Sequence, residues 1–350
     1  DAGWYVHNGG GWPHVGTWEV DRQRFPGGLR PIADYAAERG IKTVVWFEPE
    51  RVSGGTWLSE HHPEWILGGK GGGLLNLGNP EARAWLTEHV DGLINSERIG
   101  LYRQDFNMDP LGLWRGNDSE DRQGITEIRH CEGLLAYWDE LRRRHPDLLI
   151  DACASGGRRN DLESMRRAVP LWRSDYAFEP IGHQCMTMGI SLWLPYHGTG
   201  TVACADAGYY GSGKTPVEPY AFWSNAAPSL GSGIDMRIPD LDYALLRRLV
   251  GQFRDVSKFY YGDYYPLTAV TRDPTAWAGW QFDRPESGDG MVQVFRRPQS
   301  PYEAARLRLR GLVAEGRYRL TDLDAHEPPR ELTGDRKSVV QGKSVDLGGR

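Results

Sequence analysis

The sequence predicts an α/β fold: a (β/α)8 TIM barrel, N-terminally truncated, followed by a small antiparallel β-sandwich domain. Three observations carry that prediction. Apolar runs of strand length alternate with helical segments from Asp1 to about Gly262, and such alternation builds parallel strands joined by right-handed crossovers. About seven strand candidates lie between "DAGWY" and "GSGIDM", one short of the eight that close a barrel. From about Tyr264 the pattern changes to short alternating segments, the period of antiparallel strands. The expected division is a barrel over 1–262 lacking its first strand, a β-sandwich over 263–334, and a non-native or disordered tail over 335–350.

Each element has a local reason. A short helix is expected over Leu29–Gly40, closed by a capping glycine. The strand "TVVWFEPE" (Thr43–Glu50) follows it. "NPEARAWLTEHVDGLINS" has helical spacing and opens at Asn79-Pro80, an N-cap followed by proline at the first helical position. "IGLYRQDFN" is the next strand, and "GITEIRHCEGLLAYWDELRRRHP" is a long amphipathic helix stopped by Pro146. Then come the strand "DLLIDACAS", a helix over "DLESMRRAV", the strand "PLWRSDY", a helix near Cys185 and the segment "SLWLPYH". The strand region "APSLGSGIDM" precedes the helix "DLDYALLRRLVGQFRDVSKFY". In the β-domain, "AWAGWQFD", "GMVQVFRR", "ARLRLRGL" and "RYRLTDLD" read as antiparallel strands.

Composition narrows the function class. The 350 residues include 14 Trp, 16 Tyr and 44 Gly, a mixture suited to carbohydrate binding because indole and phenol faces stack on sugar C–H faces. Net charge is −6 and no basic run is long, so no nucleic-acid partner is expected. No apolar stretch approaches the length of a membrane span, so no membrane partner is expected either. Cys131, Cys153, Cys185 and Cys204 show no C-x-x-C spacing and read as free thiols. The chain opens at Asp1 without an initiator Met or a signal peptide, so an upstream part is expected.

In a barrel, catalytic side chains come from the ends of several strands. Here those ends carry Asp1 and Trp4; Trp46, Glu48, Glu50 and Arg51; Arg103, Asp105 and Asn107; Asp151 and Cys153; Arg173 and Asp175; and Asp235. The set is acidic and aromatic. His7 and His14 do not form the H-x-H of a metal hydrolase, and no G-x-S-x-G elbow supports a serine hydrolase. No G-x-G-x-x-G follows the first strand, and "GGKGGG" (Gly68–Gly73) lacks the Ser/Thr and helix of a phosphate cradle. It reads as a flexible loop. Two carboxylates on separate strand ends suit retaining glycoside hydrolysis, one ionised to attack the anomeric carbon and one protonated to assist the leaving oxygen. Asp105 beside Arg103 is the natural nucleophile, because a nearby cation keeps a carboxyl charged. Asp175 is then the acid/base. No metal or organic cofactor is implied.

Together "DAGWY", "VVWFEPERV", "YRQDFN", "CASGGRRNDLESM" and "LWRSDY" resemble the α-galactosidases of glycoside hydrolase family 36, in that family's order and spacing. The resemblance covers Asp1 to about Gly334. It implies a double displacement that removes terminal α-linked galactose from oligosaccharides. Asp105 stands at the nucleophile and Asp175 at the acid/base. Asp1 matches an aspartate that hydrogen-bonds the axial 4-hydroxyl or the 6-hydroxyl, Trp46 a pocket-wall indole, and Cys153 with Gly156 the wall facing the 2-hydroxyl. Asn107 and Arg173 join the expected sugar-binding set. Arg103 occupies the place of a lysine found in much of the family, and Ala2 that of a second aspartate. A rigid planar guanidinium is not a point charge, so an α-N-acetylgalactosaminidase or a galactosyl-transferring relative stays open as an alternative. From a different class, a catalytically inactive sugar-binding fragment is the competing reading. The resemblance also implies a preceding β-domain and homo-oligomers in the full-length protein.

Overall fold

The computed structural model describes residues 1–176, 179–201, 217–235, 237–324, 328–334 and 339–343. The chain forms two compact units, Asp1–Asp175 and Tyr176–Arg350. The expected boundary near Gly262 is a different one.

The first unit is built on three parallel strands in the order Val44–Phe47, Leu101–Gln104, Leu149–Ala152. Their register pairs Trp46 with Arg103 and Arg103 with Asp151, which brings three strand ends level. A parallel bridge from Asp151 to Val169 extends the order by one step. The expected strand "PLWRSDY" does not form: pairing stops at Val169, the residue before it. The side chain of Asp151 accepts from the backbone N–H of Leu171 at 2.8 Å, so a carboxylate takes over where the ladder stops.

Helices Pro80–Glu97 and Ile125–Arg144 connect these strands. The first starts where expected: Asn79 accepts from the N–H of Glu81 at 2.9 Å and Pro80 follows. Alternation along Leu101–Gln104 sends Tyr102 and Gln104 into the core, where Tyr137 donates to Tyr102 at 2.9 Å and Trp138 to Gln104 at 2.8 Å. Arg103 and then Asp105 take the opposite parity. The core on this side is aromatic, with Trp4, Tyr5, Trp18, Trp46 and Phe47 in mutual ring contact. The first helix is Arg30–Ala37, shorter than the expected Leu29–Gly40, and the helix expected over Asp161–Val169 covers only Leu162–Met165.

The "GGKGGG" stretch is not the flexible loop its composition suggests. It is a tight hairpin: Gly72–Leu75 pairs antiparallel with both Arg51–Ser53 and Ile66–Leu67. Gly68 (φ +120) and Gly73 (φ +145) adopt left-handed backbone, and a Cβ on Gly73 would lie 1.9 Å from the carbonyl oxygen of Leu67. Only glycine permits that approach.

In the second unit, helix Pro180–Ile190 surrounds Cys185 as expected, but "SLWLPYH" is irregular and the strand begins after it, at Gly198–Thr201. That strand pairs parallel with Ser229–Ser232. Helix Tyr243–Val256 leads into the antiparallel sheet Asp263–Pro266, Trp277–Arg284, Asp289–Arg296. Trp280 and Phe282 anchor its core, with Gln293 accepting from Trp280 at 2.9 Å and from Tyr260 at 3.1 Å. Ala304–Arg308 and Arg317–Leu320 are strands as expected. Ala304–Arg308 pairs antiparallel with Val339–Lys343, inside the expected tail; the rest of 335–350 lies outside the described residues. Cys131, Cys153 and Cys185 are free thiols, while Cys204 lies outside the described residues.

Candidate active site

The ends of the three parallel strands converge on Asp105. Its own N–H continues the ladder to the carbonyl of Phe47 at 2.8 Å, so the residue is placed by the sheet before its side chain makes any contact. Five donors then meet the carboxylate. Oδ1 accepts from the backbone N–H groups of Phe106 at 2.8 Å, Ala154 at 3.0 Å and Ser155 at 2.9 Å. Oδ2 accepts from Asn107 Nδ2 at 2.8 Å and Trp46 Nε1 at 3.2 Å. Burial opposes ionisation here, but the Asn107 amide, the Ser155 and Phe106 N–H groups and the Trp46 indole outweigh it and hold the carboxyl below its ordinary range.

This corrects the expected reason for the charge on Asp105. Arg103 is committed to Asp151, whose other oxygen holds Leu171. Burial works against the Arg103 charge, and the Asp151 carboxylate more than restores it. Hydrogen-bond donors are the leading stabilisers of the Asp105 carboxylate, and Arg103, paired with Asp151, adds charge from a distance.

Two of the five donors, the N–H groups of Ala154 and Ser155, come from an unusual turn. Ala154 (φ 73), Ser155 (φ 49), Gly156 (φ 70) and Gly157 (φ 104) run consecutively in the left-handed region. For the two non-glycine residues this costs about 1–2 kcal/mol each. The turn closes on the segment that carries Asp175: a Cβ on Gly156 would lie 2.2 Å from the Asp175 nitrogen, and one on Gly157 would lie 2.1 Å from the Arg173 carbonyl oxygen. Asp175 is exposed and accepts from Trp172 Nε1 at 2.8 Å.

The expected residues therefore fall into groups. Asp105, Asn107 and Trp46 are joined by direct hydrogen bonds. Cys153 adjoins them, and burial pushes its thiol up to about 12. Gly156, within the same turn, packs against Asp175. Arg173 is only 4% exposed, with its carbonyl accepting from Asn160 at 3.4 Å. Asp1 is exposed, and its carboxylate accepts from its neighbour Ala2 at 2.7 Å. Asp1 and Trp4 line a cavity of about 310 Å³ that continues along Ala2, Phe25, Leu29 and Val44. Among the described residues no cluster of His, Cys, Asp and Glu could hold a metal ion.

Behind the strands lies a network that the sequence reading did not anticipate. Glu50, fully buried, accepts from Arg159 at 2.6 and 2.7 Å and from Gln104 at 2.8 Å, with His130 Nε2 also at 2.8 Å. Burial resists this charge, but Arg159 and His130 overcome it and keep Glu50 well below the usual carboxylate range. Glu48, equally buried, accepts from Arg51 Nε at 2.9 Å and from the N–H of Asn107. The "FEPER" run thus braces the site from behind.

A family model described as Melibiase matches residues 1–253, well over half of the chain. The chain belongs to the melibiase family. Among curated melibiase-like relatives, the α-galactosidase Mel36A of Lactobacillus acidophilus is 26% identical over 339 residues, 93% of this chain and 45% of that protein. The α-galactosidase of Escherichia coli is 30% identical over 183 residues, 50% of this chain and 25% of that protein. The solved α-galactosidase of Lactobacillus brevis superposes with a TM-score of 0.82 at 21% identity, over 99% of this chain and 48% of that one. The family 36 α-galactosidase AgaA of Geobacillus stearothermophilus, solved in a complex with stachyose, gives 0.79 at 22% identity over 94% and 46%. This melibiase-family chain spans less than half the length of these relatives.

Proposed function

We propose that this chain carries the active site of a retaining α-galactosidase that removes terminal α-linked galactose from galactosides and oligosaccharides. The carboxylate of Asp105 attacks the anomeric carbon while Asp175 delivers a proton to the departing oxygen, leaving a galactosyl ester on Asp105. Asp175, now ionised, takes a proton from water, which attacks the same carbon and releases α-galactose with Asp105 free again. Asn107 and Trp46 border the reacting carboxylate, with Cys153 and Gly156 toward the 2-hydroxyl, Asp1 toward the 4- and 6-hydroxyls, and Arg103 and Arg173 completing the sugar-binding set.

The observation that carries this reading is the five-donor cradle on Asp105. A nucleophile must be ionised when the sugar arrives, and these donors favour the ionised form. The family membership and the AgaA complex with stachyose support the same substrate class. In this reading residues 1–262 belong to a (β/α)8 barrel and 263–334 to a β-sandwich. The parallel orders in both units and the antiparallel sheet after Asp263 support that division.

The test is hydrolysis of p-nitrophenyl α-galactoside, with the first-formed sugar followed by proton NMR. Release of α-galactose supports the reading, and release of the β-anomer contradicts retention. Galactose binding without turnover would make the protein a sugar binder instead.

A further inference from the structure

Ser155 touches both oxygens of the Asp105 carboxylate, one directly and one at second hand. Its backbone N–H donates to Oδ1 at 2.9 Å. Its hydroxyl donates to Asn107 Oδ1 at 2.8 Å, and Asn107 Nδ2 donates in turn to Asp105 Oδ2 at 2.8 Å. A side-chain amide has a donor end and an acceptor end of nearly the same shape. Nothing in the outline of Asn107 decides which end faces the carboxylate. Its two neighbours do: the carboxylate takes the NH2 end, and the Ser155 hydroxyl, a donor on Oδ1, holds the amide in that orientation.

Asn107 Oδ1 is the nearer of two acceptors for the hydroxyl, the other being the Phe106 carbonyl at 3.4 Å. Arg158 Nη2 donates to Ser155 Oγ at 3.4 Å, and a guanidinium has no acceptor to offer in return. The same Arg158 donates to the carbonyls of Phe106 at 2.8 Å and Met108 at 3.2 Å, tying the turn to the loop that holds Asn107. The left-handed backbone at Ser155 puts its N–H and its hydroxyl on the same carboxylate system.

We propose that Ser155 is a positioning residue: its hydroxyl, oriented by Arg158, holds the Asn107 amide with its nitrogen toward Asp105. The role rests on the reading of Asp105 as nucleophile, but the geometry does not. Without the hydroxyl the amide keeps its nitrogen toward the carboxylate but loses its anchor at Oδ1, so the hydrogen bond to Asp105 Oδ2 is less firmly held. The other charged or titratable groups around Asp105 are Arg103 with its Asp151 partner, Glu48 with Arg51, Cys153, and Asp175 across the turn.

The test follows the Asp105 carboxyl directly by carbon-13 aspartate NMR across a pH titration, with the resonance assigned by its loss in Asp105→Asn. Ser155→Gly removes the hydroxyl and keeps the left-handed turn. Its titration midpoint should rise, by no more than the roughly one unit expected of Asn107→Ala. The double variant should rise no further than Asn107→Ala alone, because the hydroxyl acts only through the amide. Ser155→Ala gives the same comparison if the glycine variant fails to fold. An unchanged midpoint in the serine variants, or two shifts that add, overturns the proposal. Because the titration needs no substrate, a chain that shows the shifts yet hydrolyses no α-galactoside contradicts the functional reading alone. An active enzyme without the shifts contradicts the positioning role alone.

Discussion

At the scale of single residues, Asp105 and Asp175 have separable consequences. Asp105→Ala should reduce hydrolysis to background while the protein keeps its fold, checked by circular dichroism beside the assay. Asp175→Ala should slow galactosides with poor leaving groups by about 10²–10⁴ and aryl galactosides with good ones far less. Equal losses on both substrate types would remove Asp175 from the proton-donor role. That Asp105, Asn107 and Trp46 lie together was legible in the sequence, because all three fall at the ends of expected strands. The cradle was not legible. Three of its five donors are backbone N–H groups, which every residue carries, and two of those depend on left-handed conformations at Ala154 and Ser155. The sequence also placed Arg103 beside Asp105, whereas the register sets it opposite Asp151 and pairs it there.

At the scale of elements, the turn over Ala154–Gly157 and the network behind the strands are the parts most sensitive to change. Gly156→Ala sets a Cβ against the backbone of Asp175. It should therefore impair turnover of poor-leaving-group substrates more than that of activated ones, as measured by the ratio of their kcat/KM values. Glu50→Gln strips a buried guanidinium of its carboxylate, and loss of one partner of such a pair costs about 3–5 kcal/mol. Urea unfolding of the variant should show a midpoint lowered accordingly. Asn79→Ala removes only a helix cap and should cost about 1 kcal/mol by the same measurement. The long helices were readable because proline and asparagine mark their starts and their spacing is regular. The 170–176 segment and the glycine hairpin were not. In one, a side chain replaces the ladder; in the other, backbone conformation decides the structure where composition suggests looseness.

At the scale of the molecule, acid should destabilise the fold in a defined direction. Asp105 and Glu50 both have carboxyl pKa values lowered in the folded state. Their contribution to stability is complete above the ordinary carboxylate value of about 4 and is lost as pH falls through the lowered values. Thermal unfolding followed from neutral pH downward should show Tm falling below about pH 4, and Asp105→Asn should flatten part of that fall. Activity should follow a bell-shaped curve whose acid limb reports ionisation of the nucleophile. The measurement that tests the central claim most directly is peptide mapping by mass spectrometry after reaction with an activated fluorinated α-galactoside that slows the second displacement. The galactosyl adduct should sit on the peptide carrying Asp105 and nowhere else. An adduct on Asp175 or on any other residue would contradict the assignment, as would turnover of the reagent with no adduct at all.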